Sequence, residues 1–249
     1  KILMEKNIEK LVFVTGASRG IGKATAEWFK ERGYCVAHGF FSNMEMSLKP
    51  LKDDNNLSVR LNIQNRTSIK QAIKCVEAHF NKKISVLVNN AAIAQEKEFT
   101  TISDRDFDLM LTTNLKGPFM FCQEVLPNMV QANWGRIVNI SSIGGQWGGI
   151  NQVHYAASKA GLINLTMSIA KNYSLGGITC NAVSPGLVQT DMSANEIRSV
   201  AGKKKIESIP LGRVANTSEI ASVVGYLASN EASYVTGQTI SVNGGMYFG

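Results

Sequence analysis

Tyr155 and Lys159 stand four residues apart, and Ser142 lies thirteen residues upstream of the tyrosine. A phenol is a poor acid at neutral pH, with an unperturbed pKa of about 10. An ammonium four residues later on a helix shares the phenol's face. A nearby positive charge favours the phenolate and lowers that pKa. A hydroxyl from elsewhere, here Ser142, would hold a substrate oxygen beside the phenol. Such a set is a general acid/base suited to interconverting a carbonyl and an alcohol. Alone, a Tyr-x-x-x-Lys pair is often a surface tyrosine beside a solvated lysine, so the rest of the chain must carry the weight.

Near the N-terminus, Leu11-Val12-Phe13-Val14 is a short apolar run that reads as a buried strand. It leads into Thr15-Gly16-Ala17-Ser18-Arg19-Gly20-Ile21-Gly22 and a helical stretch from about Ile21 to Arg32. Gly33 follows, where a helix C-terminus favours a left-handed residue. Strand, glycine turn and helix make a phosphate site. Bare backbone lets a pyrophosphate approach, and the helix N-terminus supplies N–H groups and positive dipole. The spacing is G-x-x-x-G-x-G, not the G-x-G-x-x-G of the common dinucleotide fingerprint. A glycine-rich turn without a ligand is the bland alternative.

The elements that must position these residues alternate. Strands are expected at Tyr34 to Phe40, within Asn56 to Ile63, at Ile84 to Val88, Arg136 to Ser141, Thr179 to Ser184 and Ile240 to Val242. Thr67 reads as the cap of a helix running to about Phe80, and Ser103 with Asp106 as a capping box. Pro118 and Pro127 should interrupt or kink the region that follows. The Tyr155 helix should run to about Tyr173. This alternation implies an α/β fold: a single-domain Rossmann-type doubly wound sheet of about seven mostly parallel strands, with helices on both faces. Ligands then belong at the carboxyl ends of the strands.

Composition agrees. At 249 residues, 44% hydrophobic and 18% charged, the chain suits a globular domain and not a disordered one. Residues 1–249 read as one domain, with 1–8 a flexible N-terminus and about 190–208 a lid over the substrate. Cys35, Cys75, Cys122 and Cys180 are widely spaced, which implies reduced, mostly buried thiols in a cytoplasmic protein. No metal site is expected. No apolar run is long enough for a membrane span, and no apolar segment after Lys1-Ile2-Leu3-Met4-Glu5-Lys6 makes a signal peptide. The net charge of +7 raises nucleic acid as a partner. No basic stripe interleaved with aromatics supports one. The dense cluster Lys203-Lys204-Lys205 reads either as a solvated helix or as a device that steers an anionic cofactor or thioester carrier.

Thr15 to Gly22, Asn89-Asn90-Ala91-Ala92, Asn114, Ser142, Tyr155/Lys159 and Ser184-Pro185-Gly186 together resemble the successive motifs of the short-chain dehydrogenase/reductase family. The likeness runs in order from about Lys10 to Met246. Trp134 to Ser142 and Val242-Asn243-Gly244-Gly245-Met246 resemble its 3-oxoacyl-ACP reductase and acetoacetyl-CoA reductase branch. Ala92 stands where the family usually has glycine.

The resemblance implies roles. Tyr155 is the acid, Ser142 holds the substrate oxygen, and Lys159 lowers the tyrosine pKa and binds the nicotinamide ribose. Asn114 kinks its helix and anchors a water. Gly16, Ser18, Arg19, Gly20, Ile21 and Gly22 hold the pyrophosphate, Asn89 and Asn90 the strand end and the cofactor ribose with Ala91 also at the cofactor, and Pro185, Gly186, Val188 and Thr190 the nicotinamide end. Asn62, with Ile63, contacts adenine or merely caps its loop. An NAD site usually has an acid after the second strand. Here the chain reads His38-Gly39-Phe40-Phe41-Ser42-Asn43, and Arg19 is placed to meet a 2′-phosphate. NADP(H) is the expected cofactor.

Gln146, Trp147, His154, Leu187 and Met192 are expected to border the substrate. Trp147 packs either on an acyl chain or on the protein, and His154 is a wall residue. Family members of this branch often carry basic residues for carrier docking before Gly135-Arg136 and before Gly177-Ile178. Those places read Ala132-Asn133 and Leu175-Gly176, so acyl-ACP and acyl-CoA both stand as substrates. A reductase of a small polyol, sugar or cyclic ketone is the second reading, and a silent binding member of the fold the third. A homotetramer is the expected assembly.

Overall fold

The computed structural model describes residues 10–41 and 52–248. The expectation for residues 1–8, and Ser42 and Asn43 of the cofactor argument, lie outside the described residues.

In chain order the elements begin with β1 (Leu11–Thr15), α1 (Gly20–Glu31), β2 (Cys35–Phe40), β3 (Lys52–Asp53), β4 (Asn56–Arg60), α2 (Arg66–Phe80) and β5 (Ile84–Asn89). They continue with α3 (Asp104–Leu111), a π-turn at Thr112–Lys116, α4 (Gly117–Gln131), β6 (Gly135–Ile140), α5 (Gly144–Trp147) and α6 (Val153–Tyr173). Last come β7 (Ile178–Pro185), α7 (Ala194–Arg198), α8 (Val200–Glu207), α9 (Thr217–Leu227) and β8 (Thr239–Val242).

All five residues of β1 are buried, so both faces of the strand need cover. Side-chain alternation sorts the two layers. Leu11 and Phe13 join Leu87, Ile137 and Cys180 against α2, α4 and α6. Val12 and Val14 join Val36, Val88, Val138 and Val183 against α1 and α9. Phe13 meets Phe121 edge-on at 4.8 Å in the first layer.

The sheet order is β3-β4-β2-β1-β5-β6-β7-β8. Seven strands are parallel, as expected, and β3 adds a two-residue antiparallel edge through Lys52↔Leu57 and Asp53↔Asn56. So short a strand leaves no periodic signal in a sequence. The chain winds from β1 outward to β4, then returns to β5 on the other side of β1. That reversal opens a crevice above the carboxyl ends of β1 and β5.

Helix starts explain two differences from expectation. Asn65, not Thr67, caps α2: its side chain accepts from Ser68 N at 3.0 Å from an extended backbone. The break between α3 and α4 is the π-turn, not a proline. Pro118 falls in the first turn of α4, where no N–H is needed. Pro127 sits inside α4 without ending it, because Val125, Leu126 and Met129 stay packed on the core. The Ser103–Asp106 capping box forms as expected. All four cysteines are free, and only Cys75 is exposed. Among the described residues, no helix is long and apolar enough to cross a membrane.

Candidate active site

The first turns of α6 carry Tyr155 and Lys159, and Ser142 follows the end of β6. Lys159 is 2% exposed and its Nζ donates to Ile140 O at 2.7 Å. That Nζ lies 5.8 Å from the centre of the Tyr155 ring. Burial lowers the Lys159 ammonium to about 8. Burial also pushes the Tyr155 phenol above its ordinary value, and the Ser142 hydroxyl pulls the other way. The protein alone therefore reverses the lowered phenol expected from Tyr-x-x-x-Lys. Loss of water outweighs a charge whose hydrogen bond goes to a strand carbonyl.

Ser142 Oγ accepts from Gly144 N at 3.1 Å, which fixes the hydroxyl at the start of α5. A Cβ on Gly145 would sit 2.8 Å from the Lys159 backbone, so only glycine lets α5 lie this close to α6. Ser141 Oγ donates to Lys159 O at 3.0 Å from the same side. Asn114 lies in the π-turn, 1% exposed. Its Nδ2 donates to Ile93 O at 2.9 Å and to Ser158 Oγ at 3.1 Å, and its Oδ1 accepts from Ile93 N at 3.0 Å. Ser158 Oγ in turn donates to Tyr155 O at 2.7 Å. Asn114 thus ties the loop after β5 to the helix that carries Tyr155.

The turn between β1 and α1 is stitched to that loop. Thr15 Oγ1 accepts from Asn90 N and Ala91 N, both at 3.0 Å. Asn90 Nδ2 donates to Thr15 O at 3.0 Å and Gly16 O at 3.1 Å. Gly16 takes φ +65°, and a Cβ on Gly22 would collide with Gly16 O and Asn90 Nδ2. Ala92 has no positive φ, so its extra methyl carries no backbone strain. Arg19 begins α1 with no side-chain cap, and no acid lies in the first turn. The first N–H groups are therefore left for an anion. The Arg19 guanidinium stands 3.7 Å from the Asp191 carboxylate, the two side chains 61% and 73% exposed. So open a pair is worth little and leaves the guanidinium free to turn to a phosphate. Bare turn, open N–H groups and exposed cation fit a dinucleotide pyrophosphate.

A cleft of about 1380 Å³ joins the two regions. It is lined by Gly16, Ser18, Arg19, Gly20, Ile21, Asn62, Ile63, Asn90 and Ala91 at one end and by Ser142, Tyr155 and Lys159 at its floor. Pro185, Gly186, Leu187, Val188, Thr190, Met192 and Trp147 complete its walls. Asn62 both lines the cleft and caps its loop, accepting from Gln64 N at 3.0 Å. Trp147 is 49% exposed and meets Tyr247 edge-on at 5.9 Å.

Two expected wall residues stand behind the wall. Gln146 turns toward the sheet, accepting from Ser184 Oγ at 2.5 Å and donating to Ser241 Oγ at 3.2 Å. His154 is fully buried, one step round the helix from Tyr155, and its Nε2 meets Gln95 Oε1 at 2.9 Å. Gly22 and Asn114 likewise support the cleft without lining it. The structure adds Phe41, Gln95, Glu96, Gln152, Glu196 and Lys205 to the lining. Gln95 and Glu96 could have been read from their place on the loop after β5. The pair Glu196–Lys205, 2.6 Å apart between α7 and α8, leaves no such signal.

Residues 16–247 match the family model described as Enoyl-(Acyl carrier protein) reductase. The 3-oxoacyl-[acyl-carrier-protein] reductase FabG of Vibrio cholerae is 39% identical over 245 residues, 97% of this chain and 99% of the relative. The enzyme of the same name from Staphylococcus epidermidis is 38% identical over 245 residues, 96% of this chain and 100% of its own. The chain belongs to the short-chain dehydrogenase/reductase family. A solved member, described as a putative gluconate dehydrogenase from Agrobacterium tumefaciens, superposes with a TM-score of 0.90 at 25% identity, covering 99% of this chain and 98% of that one. Short-chain dehydrogenase/reductases are oxidoreductases that use a nicotinamide cofactor at a CH–OH or carbonyl carbon. Tyr155 and Ser142 line the same cleft as the glycine turn.

Proposed function

We propose that this enzyme uses NADPH to reduce a 3-oxoacyl thioester to the 3-hydroxyacyl thioester. The supporting observation is the placement of Ser142, Tyr155 and Lys159 in one cleft with the glycine turn, in a chain of which 96–97% is matched by 3-oxoacyl-ACP reductases.

When bound, the reduced nicotinamide supplies the hydride. Tyr155 donates its proton to the carbonyl oxygen as that oxygen gains charge. Ser142 Oγ donates a hydrogen bond to the same oxygen, a stabilisation that grows toward the transition state. Lys159 offers its ammonium to the phenolate left behind and its face to the ribose. Both amide ends of Asn114 are held by Ile93, so its part is to fix the helix rather than to touch substrate. Val188 and Thr190 hold the carboxamide end, and Asn62 and Ile63 flank the adenine. Arg19 meets the 2′-phosphate, and no acid stands at the described end of β2 to compete. Leu187, Met192 and Trp147 contact the acyl part, while Gln146 and His154 brace that wall from behind.

The pH dependence follows from two groups. Reduction needs Tyr155 protonated, which its raised pKa secures through neutral pH. It also needs the Lys159 ammonium, which is present below about 8 and lost above it. Reductive kcat/KM should therefore be flat from pH 6 to about 7.5 and fall as pH rises through about 8. A profile that rises through that range would contradict these roles.

The comparisons also name an enoyl reductase family model and a putative gluconate dehydrogenase. Cofactor turnover should therefore be followed with acetoacetyl-CoA, with crotonyl-CoA, and in the oxidative direction with gluconate. NADPH consumption confined to the ketone, with NADH much slower, is the expected result. Turnover of crotonyl-CoA or gluconate alone, or NADH preference, would replace the proposal. The assembly we infer is a cytoplasmic homotetramer. Exposed Phe107, Leu109 and Phe119 on α3 and α4, and Tyr234 and Phe248 near β8, are apolar surface for two contacts. Sedimentation as a monomer at assay concentration would end that inference.

A further inference from the structure

The lid has two faces with different chemistry. Inward, Met192, Asn195, Glu196 and Lys205 line the cleft, and Lys205 is held by Glu196 at 2.6 Å. Outward, Val200, Lys203 and Lys204 share one face of α8 at i, i+3 and i+4 spacing. Val200 is 75% exposed, and both lysines are exposed. Arg198, at the end of α7 and two residues before Val200, is exposed as well. Among the described residues none of these three cations forms an ion pair, although Glu207 stands one turn beyond Lys203. Three exposed cations close in sequence to an exposed aliphatic side chain are not needed to hold an eight-residue helix. Ser199 already caps it, accepting from Gly202 N at 2.9 Å.

We propose that this outer lid face is the docking surface for an acidic acyl carrier protein. The inference rests on the 3-oxoacyl thioester reading above. A thioester that reaches Tyr155 enters past the lid, so a carrier that delivers it comes to rest against the lid's outside. Carboxylates on the carrier would meet Arg198, Lys203 and Lys204, and an aliphatic spot would cover Val200. The chain's net charge of +7 favours the approach of such a partner at long range. Charges at the rim of a contact act mainly on the rate of encounter and its salt dependence. They should therefore appear in KM for the carrier-bound substrate and not in the chemistry.

The test compares the wild type with Lys203→Glu/Lys204→Glu and the milder Lys203→Gln/Lys204→Gln. Three substrates share one acyl group: acetoacetyl-acyl carrier protein, acetoacetyl-CoA and the acetoacetyl thioester of N-acetylcysteamine. The proposal expects KM for the carrier substrate to rise about tenfold or more in the Glu variant and less in the Gln variant, with kcat kept. It also expects the wild-type advantage on the carrier to shrink with added salt. The small thioester should be turned over equally by all three proteins. An unchanged KM for the carrier substrate would overturn the docking face. So would an equal loss on all three substrates, which would mark a lid effect on the cleft. A loss equal for CoA and carrier but absent for the small thioester would assign the lysines to the phosphorylated arm and overturn the carrier surface. A wild type inactive on every thioester would remove the parent reading itself, and the small thioester reports that separately.

Discussion

Tyr155→Phe is expected to lower kcat for thioester reduction by about 10²- to 10⁴-fold, the usual range for losing a positioned proton donor. The phenol is the group in the cleft floor whose raised pKa keeps a proton ready at neutral pH. The ring itself should keep its packing, since the change removes one oxygen and Ser158 holds the backbone of that turn. NADPH titrated by its fluorescence should bind the variant with a near wild-type Kd. A variant that binds NADPH and keeps near-full turnover would sink the assignment.

Gly22→Ala should cost cofactor binding and stability together. Its Cβ would run into Gly16 O and Asn90 Nδ2. Neither can retreat cheaply. Asn90 is bonded to both Thr15 O and Gly16 O, and Gly16 already lies so near Ala91 Cα that its own Cβ would approach to 2.9 Å. Forcing atoms into so close a site costs about 1–3 kcal/mol. For a domain of this size that lowers Tm by roughly 2–4 °C per kcal/mol. The turn can relieve the clash only by moving the backbone that would face a pyrophosphate, so NADPH affinity should fall about tenfold or more. Thermal melts and NADPH titration on the same protein read both effects. Wild-type affinity with an unchanged Tm would show that the turn has slack that these contacts deny.

Much of this was legible in the chain. The apolar run Leu11 to Val14 announced a strand buried on both faces, as β1 is, and the alternation of elements along the chain announced the parallel sheet. The motif order placed Ser142 after a strand end and Tyr155 and Lys159 on a helix that follows, and Ser103 with Asp106 announced a helix start that formed as read. Tyr155 and Lys159 at i, i+4 had to share a face, since helix geometry alone requires it.

What only the tertiary structure decided depends on partners far away in sequence. Spacing cannot say that Ile140 O takes the Lys159 ammonium, so it misjudged the direction of the tyrosine pKa. Adjacency to Tyr155 made His154 look like a wall residue, yet the turn of the helix buries it against Gln95. Gln146 belongs to β7 and β8 because Ser184 and Ser241 happen to face it. Lys205 and the pair Lys203–Lys204 on α8 are the same residue type in sequence. They differ only because the bend between α7 and α8 brings Glu196 to Lys205 and leaves Lys203 and Lys204 to solvent. Local periodicity sets which residues share a face, and packing sets what that face meets.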